Sequence, residues 1–471
     1  MHKTRFTLAL GVIGALAVPA CDLNVPDLNN PGLDQLEANP DAVSVGAACT
    51  GLLIGNRTNI ATENGYVVQL GILGREAYNF DQADPRYIGE MIQGHLNPGS
   101  PFGGAFWAAP YANIRLANVI LHALDKVPDG QLDNAAKAAI RGFVHTMQAL
   151  DLLQVIVTHD TNGAVIDTDH DISQLGAIVG RDATYAAISQ LLDGAMTELA
   201  AGGDSFPFLL EDGYAGFDTP KTFAKFNRAI RAREGTYIAS FAAPADKPAA
   251  YQKVLDALTV SFLDDSVAAG PPNFDLGVSY TYSTKSGDAT SALINPNIYA
   301  HPSLGGPGLQ KNGTTPDARY TRKIGTRKAG SAQGLTSDLV FSKLYPGPTS
   351  QVPLIRNEEL ILLKAEALWF TGQKPQAIAE LDIVRQNSGG LQALPGVPAD
   401  DPTFTDDLLY ERQYSLMFEW GHRWIDLRRF NRPLSLDKPD DVRNVRYPIP
   451  KPECNARPVT EPACALGSTD G

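Results

Sequence analysis

This sequence contains little that points to catalysis, metal binding or nucleic acid. Only four of its 471 residues are cysteines, and no two have the C-x-x-C spacing of common zinc sites. The short motifs of serine hydrolases, zinc proteases and phosphate-binding loops are also missing. Lysine and arginine total 39 against 52 acidic residues, and a net charge of −13 disfavours a polyanionic partner. We therefore expect a protein without metal or cofactor that binds neutral ligands.

Long apolar runs are absent apart from one near the amino terminus. Residues 6–18 form an apolar run that follows basic residues and is shorter than the roughly 20 residues of a membrane-spanning helix. The run leads to Cys21 through small residues, which resembles a lipoprotein signal with Cys21 as the acylated residue. The alternative is ordinary secretory cleavage, with Cys21 left as a thiol. We predict a signal peptide over residues 1–20, and we expect the lipid on Cys21 to be the only membrane anchor.

The segment that follows the signal peptide is rich in Asn, Asp and Pro. These residues disfavour helix, so we predict an extended tether over residues 21–45. Near the other end of the chain, Cys454 and Cys464 flank a proline-containing segment, which in an exported protein is compatible with a local disulfide. The remaining cysteine, Cys49, is expected to be a buried apolar side chain.

Helical periodicity dominates the rest of the chain. Trp107, Tyr111, Ile114 and Ala117 recur at spacings of three and four, which predicts one apolar helical face packed in the core. Residues 356–386 form the clearest helical hairpin, with a glycine at the turn and a proline in the first turn of the second helix. One hairpin cannot cover its own apolar face and must stack on neighbours. The sequence therefore predicts a mainly α fold of stacked hairpins, helical over residues 46–269 and 354–471.

Two loop-rich regions interrupt the helical pattern, at residues 71–106 and 270–353. Both are too long to be structureless in a compact domain, so we expect ordered insertions with few short strands that carry the ligand surface. Aromatic rings stack on the apolar faces of sugars, and guanidinium groups bond their hydroxyls. The predicted ligand-binding residues are Tyr78, Phe80, Arg86, Tyr87, Tyr280, Tyr282 and Tyr299.

An acidic cluster follows a second predicted helix, over residues 133–159, whose apolar residues recur at core spacing. Asp167, Asp169 and Asp171 alternate along the chain, and alternating oxygen ligands are found in calcium sites. No glycine or bidentate glutamate stands where a calcium loop needs it. We therefore interpret the cluster as a solvated turn and predict no metal there.

The segment ERQYSLMFEWGHRWIDLRRF, residues 411–430, mixes charges with large aromatics. Arg412, Leu416, Glu419 and Arg423 have helical spacing, which predicts one helix with two guanidiniums around a carboxylate. We interpret Arg412, Glu419, Arg423 and Asp426 as a structural ion-pair network and not as catalytic residues.

The same segment resembles the carboxy-terminal signature of the SusD/RagB-like outer-membrane lipoproteins, in which E-R, F-E, G-x-R and D-L-x-R follow in order. Two further motifs agree, W-x3-Y-x2-I-x2-A-N ending at Asn118 and Y-P-I-P beginning at Tyr447. Because Pro448 and Pro450 disfavour helix, the second motif is expected to form an extended strap. Ser415 departs from the family pattern, where an acidic residue is common.

This resemblance implies one SusD-like domain over residues 46–471 with a tetratricopeptide-like scaffold. It implies a cell-surface lipoprotein, anchored in the outer membrane through Cys21, that captures glycan, oligosaccharide or peptide. The family delivers such ligands to a SusC-like TonB-dependent β-barrel transporter, for which it acts as a lid without any covalent step. Two alternatives stay open, a helical-repeat adaptor that binds only protein, and a secreted glycoside hydrolase, which needs only two well-placed carboxylates.

Overall fold

The computed structural model describes residues 33–171 and 173–469. The predicted signal peptide, Cys21 and the first part of the predicted tether lie outside these residues. The α-helices of the described chain are α1 Leu33–Ala38, α2 Ala42–Arg57, α3 Tyr66–Leu73, α4 Arg86–Gly89, α5 Ala108–Lys126, α6 Asn134–His159, α7 Arg181–Ala200, α8 Pro220–Phe241, α9 Lys247–Thr259, α10 Ala318–Lys323, α11 Asn357–Phe370, α12 Lys374–Asn387, α13 Asp401–Ser415, α14 His422–Arg429 and α15 Lys451–Ala456. The predicted mainly α fold is confirmed.

The strands are short and pair in twos. They are β1 Ala77–Asn79, β2 Ala164–Val165, β3 Ile178–Val179, β4 Gly277–Tyr280, β5 Ile298–Ala300, β6 Lys311–Asn312, β7 Thr315–Pro316, β8 Gly325–Ala332, β9 Leu335–Val340 and β10 Val352–Arg356. The ladders are antiparallel and join β1 to β5, β4 to β10, β2 to β3, β6 to β7 and β8 to β9. The β1–β5 ladder brings the two loop-rich regions together, since it pairs Tyr78 with Tyr299.

The helices stack in chain order. From α5 to α9 each helix packs on the next, and α9 packs on α11, which forms a hairpin with α12. Side-chain caps define several starts, because Asp133 accepts the amide of Ala136 at 2.8 Å before α6, and Thr219 caps α8. The predicted hairpin over residues 356–386 and its stacking on neighbours are confirmed.

The described end of the predicted tether, residues 33–45, is largely helical and not extended. The side chain of Asp41 accepts the amide of Ser44 at 2.7 Å, and the Ser44 hydroxyl accepts the amide of Asp41 at 2.9 Å. This reciprocal capping box begins α2 at Ala42, and α1 precedes it. The prediction was wrong here because the cap outweighs the helix-disfavouring composition.

The predicted single helix over residues 411–430 is also wrong. The chain leaves α13 at Ser415 and enters α14 at His422, and both Phe418 and Gly421 have positive φ, 53° and 73°. A Cβ on Gly421 would lie 2.3 Å from Cδ2 of Leu70, so this close turn requires glycine.

Because the chain turns between α13 and α14, some charged residues of the predicted ion-pair network have partners other than those predicted. Arg412 does pair with Asp426, at 2.6 Å between Nε and Oδ2. Glu419 pairs with Arg356 and Lys323, which belong to other elements, and not with Arg412 or Arg423. Three further buried ion pairs join helices. Arg233 of α8 pairs with Glu359 of α11, Arg319 of α10 with Glu411 of α13, and Arg429 of α14 with Glu366 of α11.

The carboxy-terminal segment is a strap, as predicted. Tyr447 is fully buried, its amide donates to the Thr158 carbonyl at 2.9 Å, and its hydroxyl donates to Gln69 at 3.1 Å. A disulfide joins Cys454 to Cys464, a pairing that the sequence had left open, and Cys49 is buried as a free thiol, as expected. Among the described helices, none combines the length and apolar character that crossing a bilayer requires.

Candidate functional site

Three of the predicted ligand-binding residues form one aromatic cluster at the β1–β5 ladder. The ring of Phe80 lies 5.2 Å from that of Tyr78 and 5.2 Å from that of Tyr299. Tyr78 and Phe80 are nevertheless 3% and 5% exposed, and only Tyr299 is half-buried. The two loop-rich regions therefore meet, but they meet by packing their aromatics into the core.

The other four predicted residues are dispersed. Tyr87 is buried edge-on to Phe102, and Arg86 is exposed with its guanidinium on Asp84. Tyr280 and Tyr282 are both buried. The expectation that these aromatics face a ligand is corrected for Tyr78, Phe80, Tyr87, Tyr280 and Tyr282, because each ring is buried and none of them lines the cleft described below.

The strongest candidate site is a cleft of about 540 Å³ around Trp107, here called the Trp107 cleft. Residues 98–104, 107–111, 165–170, 174–176 and 450–457 contribute to its lining. The loop-rich region 71–106 thus supplies one wall, as expected, but none of the seven predicted ligand residues lines this cleft.

Trp107 and Tyr111 form the floor of the cleft. Trp107 immediately precedes α5, and its ring packs edge-on to His159 at 5.0 Å and lies 4.9 Å from the ring of Tyr111. Burial lowers the pKa of His159 to about 4, so this imidazole is neutral near pH 7 and adds no charge beneath the floor. Trp107 is 5% exposed, so the half-buried ring of Tyr111 provides most of the aromatic surface of the floor.

Tyr111 connects the floor of the cleft by hydrogen bonds to the wall that contains β2. Its hydroxyl donates to the carbonyl of Val165 at 3.0 Å and accepts the amide of the same residue at 2.6 Å. Both bonding directions of the hydroxyl are used within the protein, which leaves the half-buried ring, and not the hydroxyl, for contact with a ligand.

Helix α15 forms the opposing wall. The Trp107 indole N–H donates to Glu453 at 3.2 Å, and Arg457 donates to the other oxygen of Glu453 at 2.6 Å. The disulfide from Cys454 to Cys464 anchors the same helix to the chain that follows it. This wall is therefore held by an ion pair, an indole hydrogen bond and a covalent link.

The remaining lining is mostly apolar. Pro98 and Pro101 line the cleft from one segment and Pro450 and Pro452 from another, and Leu175 on the rim is 49% exposed. His170 brings its two ring nitrogens near the carbonyl oxygens of Asp171 and Asp167, at 3.1 and 3.0 Å. These acceptors favour the imidazolium and raise the pKa of His170, with the Asp171 carbonyl as the main cause.

The acidic cluster beside the cleft does not assemble as a ligand set. Asp169 lies 3.1 Å from His122, and the carbonyl of Asp167 contacts His170. Within residues 33–171 and 173–469, no three His, Cys, Asp or Glu side chains are arranged to hold a metal ion.

Sequence reasoning placed Trp107 and Tyr111 in the core and missed that they also line a cleft. The periodicity of α5 marks them as apolar, which is correct, but it cannot show that the strap returns beside them. Prolines near positions 98 and 450 signal breaks in the helical pattern, although nothing in the sequence indicates that the two segments meet.

Comparison with known proteins places the fold. Residues 345–459 match the model of the SusD family. The predicted resemblance to the SusD/RagB family is confirmed. No curated protein matches the chain.

Solved structures extend the likeness over nearly the whole chain. A SusD superfamily protein from Bacteroides vulgatus aligns with a TM-score of 0.64 at 15% identity, covering 91% of this chain and 98% of its own. A SusD-like carbohydrate binding protein from Bacteroides fragilis gives 0.66 at 12% identity, covering 88% and 98%. A laminarin binding SusD-like protein gives 0.58 at 17% identity, covering 88% and 97%. At these identities the likeness establishes the SusD-like fold.

Proposed function

We propose that this SusD-like protein binds a neutral glycan or oligosaccharide in the Trp107 cleft without chemically altering it. The observation that carries the proposal is the Trp107–Tyr111 floor set between proline-lined walls, in a cleft whose size suits a small ligand. Such surfaces match the apolar C–H faces of sugar rings. Two structures with this fold are described as carbohydrate binding and laminarin binding, which supports a saccharide.

Binding without catalysis agrees with how the carboxylates are used. A glycoside hydrolase needs two carboxyl groups free to act on one glycosidic bond. Two carboxylates line the Trp107 cleft, Asp167 and Glu453, and Glu453 already accepts from Trp107 and Arg457, which leaves Asp167 without a free partner carboxyl group. Incubation of the purified protein with bound oligosaccharides is expected to release no reducing ends, and measurable release would refute the binding-only proposal.

The rim of the cleft offers a direct test. Leu175 is 49% exposed at the cleft, whereas Leu209 is 88% exposed and is absent from the cleft lining. Leu175→Asp should weaken binding of a neutral oligosaccharide by roughly 1–2 kcal/mol, because apolar contact is lost. Leu209→Asp is the matched control and should bind as the unaltered protein does, by isothermal titration against a panel of neutral oligosaccharides and peptides.

Two results would contradict the assignment of the cleft. One is equal oligosaccharide affinity in the Leu175→Asp and Leu209→Asp proteins. The other is binding of peptides, but of no saccharide in the panel, to the unaltered protein.

We further propose that the protein is an outer-membrane lipoprotein, acylated at Cys21, that delivers its ligand to a SusC-like TonB-dependent transporter as a hinged lid. The family resemblance and the amino-terminal sequence support this role. Cys21→Ser should release the protein from membranes, and the lipidated protein should co-purify with a β-barrel transporter. Co-purification with other proteins only, together with no ligand binding, would favour the helical-repeat adaptor.

A further inference from the structure

Arg423 is a cation that has no hydrogen-bonding or ion-pairing partner in the part of the chain that the structure describes. It lies in the first turn of α14 and is half-buried, and among the described residues no hydrogen bond or ion pair reaches its guanidinium. Its neighbour Asp426 is already engaged by Arg412 at 2.6 Å and by Arg429 at 2.8 Å. Burial lowers the pKa of Arg423 below its usual value, which reflects the cost of placing this charge away from water.

Glu76 is the carboxyl group that acts most strongly on Arg423, but it does not balance the positive charge of the guanidinium. Glu76 is buried, and burial raises its pKa to about 8, so it is largely protonated at neutral pH. One of its oxygens accepts the amide of Phe418 at 3.2 Å, and the other has no partner in the described chain. Arg423 therefore retains an unbalanced positive charge.

Arg423 lines a cleft of about 440 Å³, here called the Arg423 cleft, which shares no residue with the Trp107 cleft. Tyr410 and Tyr414 lie side by side in its lining, with ring centroids 4.8 Å apart. Their hydroxyls donate elsewhere, to Asp317 at 3.1 Å and to the Leu304 carbonyl at 2.8 Å. Tyr414 is 2% exposed, so the half-buried ring of Tyr410 is the aromatic surface that this pair offers to a ligand.

Other unused donors converge on this cleft. The side-chain amide of Gln413 makes no hydrogen bond to any described residue, and Nε of Arg432 is buried without an acceptor there. Arg432 also donates to Asp406 at 2.7 Å, and Asp406 is the one carboxylate in the lining. Two guanidiniums thus face one carboxylate, which leaves a net positive cleft with donors that lack acceptors.

We propose that the Arg423 cleft binds an acidic sugar, with the sugar carboxylate on the Arg423 guanidinium and the sugar ring against Tyr410. A carboxylate supplies the missing acceptors in charge-assisted hydrogen bonds, for which the guanidinium fork is well shaped. The anionic part of the ligand follows from Arg423 alone. The saccharide part rests on the proposed function.

The test is calorimetric titration of the full chain with galacturonate, galactose and acetate. Galacturonate should bind best, and Arg423→Gln should weaken it about tenfold or more, since a charge-assisted pair is lost. Arg141→Gln is the matched control, because Arg141 is a half-buried arginine paired with Asp125 outside this cleft. Arg423→Gln should also leave the melting temperature unchanged or higher, which a structural arginine would not do.

Several outcomes overturn the proposal. Equal galacturonate affinity in the Arg423→Gln and unaltered proteins removes Arg423 from the site. Acetate bound as tightly as galacturonate leaves an adventitious ion only, and galactose bound as tightly as galacturonate removes the role of charge. Leu175→Asp distinguishes failure of one proposal from failure of the other. It should weaken the binding of neutral oligosaccharides in the Trp107 cleft and leave the binding of galacturonate in the Arg423 cleft unchanged.

Discussion

Glu419 lies against Arg356, which precedes it by 63 residues and closes strand β10. The guanidinium donates from Nη2 to Oε1 at 2.9 Å and from Nε to Oε2 at 3.2 Å. Lys323 approaches the same carboxylate at 3.5 Å, and Arg356 also contacts Glu358. The turn between α13 and α14 is thereby joined to β10 and α10 through buried charges.

Removal of Glu419 should therefore destabilise the fold. Glu419→Ala leaves Arg356 and Lys323 buried with too little negative charge, and breaking a buried pair in this way costs about 3–5 kcal/mol. Urea unfolding measures the loss, with the exposed Glu37→Ala as the control. The folded fraction should keep its oligosaccharide affinity, so a large loss of affinity at unaltered stability would contradict the structural role.

Glu76 should make stability depend on pH. Burial raises its pKa to about 8 from an ordinary 4.5, so the folded chain holds a proton that the unfolded chain has released between these values. The stabilising contribution is complete below pH 4.5 and is lost as pH rises to about 8. The Phe418 amide, Arg423 and Lys323 lower the pKa of Glu76, but desolvation, to which Glu419 adds, outweighs them.

Glu76→Gln should remove this pH dependence. The variant keeps the amide acceptor for Phe418 and carries no titrating group, so its unfolding free energy should be flatter by up to about 1.4 kcal/mol per pH unit. Urea unfolding at about pH 5 and about pH 8 measures the slope, with Glu37→Gln as the control. Parallel slopes in the Glu76→Gln and unaltered proteins would show that Glu76 ionises normally.

Gly421 should tolerate no side chain. An alanine there would combine a left-handed φ of 73° with a Cβ placed 2.3 Å from Leu70, and strain plus overpacking cost roughly 2–4 kcal/mol. Gly130→Ala is the control, because no atom lies within 4 Å of its added Cβ and its φ is not positive. If thermal melts gave Gly421→Ala the same melting temperature as Gly130→Ala, the close contact with Leu70 would be refuted.

The disulfide should control α15 locally. Replacing Cys454 and Cys464 by serine removes a short-loop cross-link worth about 3 kcal/mol in the chain-entropy model. Hydrogen exchange should accelerate over residues 451–465 while α6 and α8 stay protected, and oligosaccharide affinity should fall because the wall loosens. The Cys49→Ala variant retains the bridge, so uniform acceleration in both variants would argue against a local role.

Local signals explain what could be predicted from the sequence. The helix α6 follows from its apolar period and the Asp133 cap, and the α11–α12 hairpin follows from Gly372 and Pro375 at its turn. These features act within a few residues, so periodicity and caps reveal them. The strap at Tyr447 follows equally from its flanking prolines.

Contacts distant in sequence explain what could not be predicted. The spacing of Arg412, Glu419 and Arg423 suits a helix, but Leu70 and Arg356 act on the turn between them from elsewhere in the fold. Likewise, pairing of β1 with β5 buries Tyr78 opposite Tyr299, although both segments have the composition of exposed loops. Tertiary packing overrode local preference in each case.

The Trp107–Glu453 hydrogen bond joins residues 346 positions apart, so it can form only late in the synthesis of the chain. During synthesis, the floor of the Trp107 cleft is complete long before its last wall emerges. A nascent or truncated chain that ends before Pro450 would contain α5 to α14 but would lack the α15 wall, so under the proposed function it should bind ligand only after α15 has been made.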